Sequence, residues 1–368
     1  TRHATAFITP LTLQTLSGNP VFLEMFSLLK EQDIAHIALA QEADIVVIAP
    51  ATANVIGKMA AGLADDLLTT VVLAVKAPIL ICPAMNTNMY DNPIVRENMR
   101  KLADRGCRIL PAAAGELACK SEGSGRLPDL FDILEEVRSL LAEKDLAGVR
   151  VLVTAGPTRE PFDPVRFITN YSSGKMGYAL AVAAGRRGAD VTLISGPSAL
   201  TAPSGVNVIR VDTALEMHEA VLKHFETADV IIKAAAVADY RPSFRADQKI
   251  KKRGGALTLT LERNPDILAE LGKIKGERIL VGFAMESEDL VENAKTKLRK
   301  KNLDLIVAND VKQSGAGFQT DTNIVKILDR AGGMEELPLM DKIEAAGRIL
   351  DRVKRLIEKN GVADRTGG

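Results

Sequence analysis

Short runs of β-branched and aliphatic residues, each followed by a longer amphipathic stretch, recur along the whole chain. This alternation admits little besides parallel sheets covered by helices, an α/β fold. Residues 43–49 and 77–82 read as buried strands, and 107–110 as a weaker third. Helical spacing fills 54–75 and 91–105. Leu130, Ile133, Leu134, Val137, Leu140 and Leu141 then form one apolar face over 129–144. The charged Glu143-Lys144-Asp145 and Gly148 interrupt the rhythm, which restarts at Val149, so the domains are set at 1–147 and 148–368. In the second, strands are predicted at 149–153, 190–194, 206–211, 229–235, 278–283, 304–308 and 323–328. Helices are predicted at 174–187, 214–225 and 341–358. Residues 242–262, basic and alternating, read as a hairpin or flap.

Composition narrows the function classes. Forty-seven basic residues balance 47 acidic ones, which argues against a nucleic-acid binder. The balance is uneven, with 14 basic against 18 acidic residues up to Arg150 and 33 against 29 after it, so the second half better suits an anionic ligand. No apolar run approaches the ~20 residues of a membrane-spanning helix. Cys82, Cys107 and Cys119 lack CxxC spacing, which points to a reducing cytoplasm rather than a disulfide scaffold or zinc site.

The strand ending at Val153 runs into Thr154-Ala155-Gly156-Pro157-Thr158-Arg159. Small residues at a strand's carboxyl end let phosphates approach the backbone. Ser172-Ser173-Gly174-Lys175-Met176-Gly177 supplies a helix start, with Ser as the expected cap and glycines for close packing. Seventeen residues separate Gly156 from Gly174, so there is no compact GxGxxG fingerprint, and a ligand-free turn stays open on this feature alone. The intervening loop is long, Pro-stiffened and charged, a composition typical of functional or disordered loops. Taken singly, Lys297 and Lys301 read as an exposed helical pair, Lys249 as part of a solvated basic run, and Asn170 as a turn stabiliser.

In order, the segment from Gly156 to Gly177, Ala-Ala-Val-Ala-Asp-Tyr-Arg-Pro at 235–242, Lys-Ile-Lys-Lys at 249–252, Asn-Pro-Asp-Ile at 264–267, Gly-Phe-Ala-Met-Glu at 282–286 and Asn-Leu-Asp-Leu-Ile-Val-Ala-Asn-Asp at 302–310 resemble the phosphopantothenate–cysteine ligase family. The resemblance covers nearly all of 148–358 and implies a Rossmann-like, doubly wound domain. It also implies a two-step reaction. The carboxylate of 4′-phosphopantothenate attacks the α-phosphate of CTP, releasing pyrophosphate, and the amine of cysteine then displaces CMP. By the same resemblance, Asn170 contacts the acyl-cytidylate, Arg166 binds substrate beside it, and Lys249 is the flap lysine of the first step. Ala235, Asp239, Lys249, Pro265, Asp266, Ile267, Leu268, Phe283, Lys297 and Lys301 match the nucleotide pocket, Asp239 facing ribose or metal. Mg²⁺ is expected with CTP, and no metal-ligand set is assigned.

The first half carries Pro50-Ala51-Thr52-Ala53 after one strand, Pro83-Ala84-Met85-Asn86-Thr87-Asn88-Met89-Tyr90 after the next, His36, and Cys119 followed by Lys120. A lone His or Cys is a weak signal. Together, with Gly123-Ser124-Gly125-Arg126, they resemble the phosphopantothenoylcysteine decarboxylase family over 1–135, which implies a flavodoxin-like domain holding FMN. The resemblance makes His36 the base that starts oxidation of the substrate to a thioaldehyde. Asn86 binds the substrate carboxylate, and Cys119 protonates the enethiol after CO₂ leaves. Pro50, Ala51, Thr52, Ala53 and Met85 border the flavin. In that family a first strand and a Gly/Ser-rich turn gripping the flavin phosphate precede the segment that Thr1-Arg2-His3-Ala4 resembles, so a truncated start is expected.

The resemblances further imply homo-oligomers: ligase dimers, decarboxylase trimers, and a dodecamer combining them. Phe7, Ile8, Leu11, Leu13 and Leu16 suit an interface or a core equally. Three rivals remain: a ligase with a non-functional decarboxylase remnant, a non-catalytic flavin-fold regulatory protein, and a nicotinamide oxidoreductase. The retained His36 and Cys119 weigh against the second, and the missing fingerprint against the third.

Overall fold

A computed structural model describes residues 1–25, 35–116, 122–251, 257–286, 290–310, 317 and 319–360. Contacts divide the chain into two compact units, Thr1–Ala142 and Glu143–Gly368. The division falls ahead of 147/148 because Leu146 is buried in the second unit's core. Asp145 is also held there, accepting Arg187 Nε and Nη2 at 2.8 and 2.7 Å.

The first unit runs α1 (Pro10–Ser17), α2 (Ala35–Glu42), β1 (Val46–Ala51), α3 (Ala53–Ala61), α4 (Leu67–Ala74), β2 (Ile79–Pro83), α5 (Thr87–Tyr90), α6 (Pro93–Asp104), β3 (Arg108–Ile109), β4 (Ala113–Glu116), β5 (Glu122–Arg126) and α7 (Leu130–Leu141). β1, β2 and β3 form a parallel sheet in that order, and β4 pairs with β5. The helical stretch expected over 54–75 is two helices. Gly62 ends the first in the left-handed region at φ 71°, and Asp66 starts the second through a reciprocal capping box with Thr69. α1 buries none of its residues, and Phe7, Leu11 and Leu16 are 93%, 71% and 79% exposed, so core packing does not account for the apolar amino-terminal segment.

The second unit runs β6 (Arg150–Ala155), β7 (Arg159–Pro161), β8 (Phe167–Thr169), α8 (Lys175–Arg186), β9 (Asp190–Ser195), β10 (Asn207–Arg210), α9 (Ala214–Phe225), β11 (Val230–Lys233), β12 (Tyr240–Pro242), β13 (Leu261–Arg263), α10 (Ile267–Ile274), β14 (Ile279–Glu286), α11 (Leu290–Lys300), β15 (Leu305–Asp310), β16 (Thr322–Asp329), β17 (Met334–Asp341) and α12 (Lys342–Asn360). Eight strands form one mixed sheet, ordered β10-β9-β6-β11-β14-β15-β16-β17, with only the last two joined antiparallel. Alternate residues bury both faces. Val151, Val153, Ile232, Val281 and Val307 pack under α8 and α12. Leu152, Ile231, Leu280 and Ile306 pack under α9, α10 and α11. The strand order reverses between β6 and β11, the place in an open α/β sheet where a crevice forms beyond the carboxyl ends. β12 pairs with β13 (Tyr240↔Arg263), so the expected hairpin over 242–262 begins and ends as paired strands.

Candidate functional site

At the reversal point, the segments following β6 and β11 are laced together. Thr154 Oγ1 accepts the Ala235 N–H at 3.1 Å, Gly156 O the Ala236 N–H at 2.9 Å, and Thr158 Oγ1 the Ala238 N–H at 3.0 Å. Asn170 spans the same rim. Its Nδ2 donates to Ala236 O at 2.5 Å, and its Oδ1 accepts the Ser172 N–H at 3.2 Å. The amide therefore does more than stabilise its own turn, because it joins the segment before α8 to the segment after β11.

The residue capping α8 is Gly174, at φ 83°, rather than the expected serine, and no side chain caps the helix. Ser172 Oγ reaches only the Gly174 N–H, at 3.4 Å. A Cβ on Gly177 would lie 2.5 Å from Ala155 Cβ and 2.9 Å from Thr154 O, so only glycine lets this first turn rest on the end of β6. The arrangement leaves helix N–H groups and the positive end of the dipole beside the crevice, a setting suited to phosphate.

The far side of the rim is organised by Asn264, which opens the Asn-Pro-Asp-Ile motif and to which sequence reading assigned no role of its own. Its N–H donates to Asp239 O at 2.9 Å, its Nδ2 to Ala238 O at 2.8 Å, and its Oδ1 accepts Arg241 Nη1 at 3.0 Å. The Asp239 side chain is exposed, and Pro265 is half-buried. Asp266 caps α10 by accepting the Ala269 N–H at 3.0 Å, and it pairs with Lys301 at 2.9 Å. Burial pushes the Asp266 carboxyl up, but Lys301 and the Ala269 N–H outweigh it and hold it below the usual range.

Other matched positions stand differently. Ile267 and Leu268, 2% and 9% exposed, place their side chains in the core beneath α10. Phe283 packs against the core on the α8 face. Lys297 is half-buried one turn before Lys301. Lys233, the last residue of an otherwise apolar strand, is 8% exposed, and that placement of a cation was the overlooked signal.

Lys249 is exposed, but its neighbour is pinned. Ile250 donates its N–H to Asp163 Oδ2 at 3.2 Å, and its carbonyl accepts Arg166 Nη2 at 2.9 Å. Asp163, 1% exposed, also accepts the N–H groups of Val165 and Arg166 at 2.8 Å each and Arg166 Nε and Nη2 at 2.9 and 2.5 Å. The Arg166 guanidinium holds this carboxyl far below the ordinary range, with the three backbone N–H bonds adding to it against desolvation. Arg166 thus has Nε and Nη2 engaged in a clasp, which leaves Nη1 for any substrate.

In the first unit, Thr52 caps α3 through the Val55 N–H at 3.3 Å, Ala51 is fully buried, and its carbonyl accepts the Ala84 N–H at 3.0 Å. Asn86 caps α5 through the Asn88 N–H at 2.9 Å, and Met85 N–H donates to Gly125 O at 2.9 Å. Ala51, Met85, Asn86 and Gly125 therefore gather at the carboxyl ends of β1 and β2, with exposed Pro50 and half-buried Ala53 flanking. His36 stands on α2, and its Nδ1 is buried with no hydrogen-bond partner among the described residues. Cys119 and Lys120 lie outside the described residues. Burial raises the Cys82 thiol to about 11, consistent with inert packing. Among the described residues no three His, Cys, Asp or Glu side chains cluster as metal ligands, and no helix is long and apolar enough to cross a membrane.

A family described as Flavoprotein matches residues 1–142, and one described as DNA/pantothenate metabolism flavoprotein C-terminal domain matches 146–357. The coenzyme A biosynthesis bifunctional protein CoaBC of Bacillus subtilis (strain 168) is 49% identical over 365 residues, 98% of this chain and 90% of that protein. A cysteine/cysteine sulfinic acid decarboxylase from an unknown prokaryotic organism is 45% identical over 357 residues, 95% of this chain and 99% of its own. The crystal structure of the C-terminal domain of a CoaBC protein superposes with a TM-score of 0.52 at 45% identity, covering 59% of this chain and 100% of that one. These matches do not establish the expected truncation. With both halves matched in order and close relatives spanning almost its whole length, the chain belongs to the bifunctional coenzyme A biosynthesis family, which joins a phosphopantothenoylcysteine decarboxylase to a phosphopantothenate–cysteine ligase.

Proposed function

We propose that the second unit, a Rossmann-like doubly wound domain, activates 4′-phosphopantothenate with CTP through an acyl-cytidylate. The observation that carries this reading is the Asn170 amide, fixed across the reversal point beside an uncapped helix start. Two anionic reactants must meet there, and their repulsion has to be offset where charge grows at the α-phosphate. The first turn of α8 and Lys249 supply positive potential, and Mg²⁺ accompanies CTP. Asp239, Asp266 and Lys301 bound the nucleoside side, with Ala235 offering backbone contacts. Asn170 holds the activated carboxyl while the amine of cysteine attacks it.

The first unit, flavodoxin-like in this reading, holds FMN at the rim of Pro50, Ala51, Thr52, Ala53 and Met85. The small residues leave room for a flat ring, and His36 Nδ1, without a partner among the described residues, is a polar atom that a bound ligand would satisfy. Bound FMN supplies two-electron oxidation and reduction. His36 takes the first proton, Asn86 orients the substrate carboxylate, and Cys119 returns a proton at the end. A cytoplasmic oligomer fits the exposed apolar α1.

Asn170→Asp places a carboxylate against the acyl-cytidylate. Expected is pyrophosphate release with little CMP or product, so the intermediate accumulates in a quenched reaction; wild-type product turnover refutes the assignment. Cys119→Ser is expected to stop formation of 4′-phosphopantetheine while a bound flavin keeps its visible spectrum, and unchanged product formation rejects that role. Measuring CO₂ release from phosphopantothenoylcysteine and from free cysteine separates this reading from the cysteine decarboxylase named among the relatives.

A further inference from the structure

Lys233 ends β11 at the reversal point, paired in register with Thr154 on one side and Gly282 on the other. Its side chain belongs to the face of Ile231, under α10 and α11. The surroundings are apolar there. Gly282 has no room for a side chain because Leu268 and Leu303 occupy the space, at 2.9 and 2.7 Å from where a Cβ would stand. A lysine only 8% exposed among such neighbours needs an ion pair or hydrogen bonds for its ammonium, and Lys233 makes none to any described residue. The charged groups facing it are Asp266, the cap of α10, and Lys301, just beyond α11. Asp266 is already engaged by Lys301 and by the Ala269 N–H. Two cations therefore share one carboxylate at a site whose outer members reach solvent. Burial pushes the Lys233 ammonium down to about 8, Lys301 adding to the fall and Asp266 opposing it.

We propose that Lys233 is a nucleotide-binding residue, its ammonium donating to an acceptor oxygen of the bound nucleoside triphosphate beside the Asp266–Lys301 pair. The proposal rests on the placement of CTP at this rim. It adds a cation that the ligase motifs do not contain. The ligand replaces the missing partner of a buried charge, so the bond forms in a water-poor setting where charged hydrogen bonds are strong. The acceptor lies either on a phosphate or on the pyrimidine carbonyl.

Lys233→Met keeps the length of the stem and removes the charge. Because it also removes an uncompensated buried ion, the folded protein is expected to be no less stable. Calorimetric titration of the full chain with CTP is expected to show a dissociation constant weaker by roughly 10–100-fold. A parallel titration with cytidine identifies the acceptor. Cytidine weakened alongside CTP places it on the base, and cytidine unchanged places it on a phosphate. CTP binding at wild-type strength in Lys233→Met, with Lys301→Met weakened, overturns the role of Lys233 and leaves the nucleotide placement standing. Wild-type binding in both variants overturns the placement and the role together. Should Lys233→Met not fold, the wild-type protein gives the answer. CTP affinity is expected to fall as pH rises through about 8 and Lys233 loses its proton, and a flat profile between pH 7 and about 9.5 overturns the proposal.

Discussion

Lys249→Gln is expected to lower pyrophosphate release from CTP by at least roughly 10²–10³-fold, the scale of removing one donor from a developing anion. The side chain is exposed and makes no hydrogen bond or ion pair to any described residue. The backbone next to it is fixed independently, through both the N–H and the carbonyl of Ile250. The variant should therefore melt as the wild type does while failing in the first chemical step. Synthetic acyl-cytidylate distinguishes the steps. If Lys249 acts on the α-phosphate, the variant still converts that intermediate and cysteine to product. Release of pyrophosphate at the wild-type rate would remove Lys249 from the reaction.

Asp163→Ala is expected to reach nearly the same deficit by another route. Five donors converge on this carboxylate, and three of them, the Ile250 N–H and the Nε and Nη2 of Arg166, fix the base of the segment that carries Lys249. Without it, Arg166 loses its anchor and the Ile250 N–H its acceptor. A displacement of about 1 Å at a reacting group costs on the order of 10²-fold in rate, and that is the expected loss. Amide exchange over 244–251 should quicken in the variant, with exchange in β6 and β11 unchanged. Normal rates in both measurements would show the clasp to be incidental. The pH dependence follows from the sign of the shift. The carboxyl is depressed in the folded protein, so its contribution is complete above the unfolded value of about 3.9 and fades only as pH falls through the lower folded value. The clasp stays closed over the working range, and Asp163 should put no limb on the rate profile at neutral pH.

The central strands were legible because burial on both faces demands uninterrupted apolar runs, and Val230-Ile231-Ile232 can do little else. β17 was not legible. Met334-Glu335-Glu336-Leu337-Pro338 buries only Leu337, and its proline is tolerated because the strand closes the sheet at an edge. The hairpin of β7 and β8 hid inside what reads as a loop, since three residues a side are too few to show a period. Glu160 within it is 2% exposed and accepts the Ala214 N–H at 3.0 Å, a buried carboxylate that local pattern cannot announce. The candidate positions Asn170 and Lys249 were read from ordered motifs. Asp163 and Asn264 lie inside two of those motifs, but their bonds to Ile250 and Ala238 join segments that the motifs do not link, and Lys233 stands out only through its burial beside Asp266 and Lys301.

The bond between Thr154 and Ala235 spans 81 residues. β11 can be laid beside β6 only after the chain has travelled out through β9 and β10 and returned, and loop closure of that length is among the slower events in folding. On the ribosome, the crevice proposed for the nucleotide therefore does not exist while its first wall is being synthesised. A nucleotide bound as proposed stabilises the finished second unit by mass action, but it cannot template the early chain.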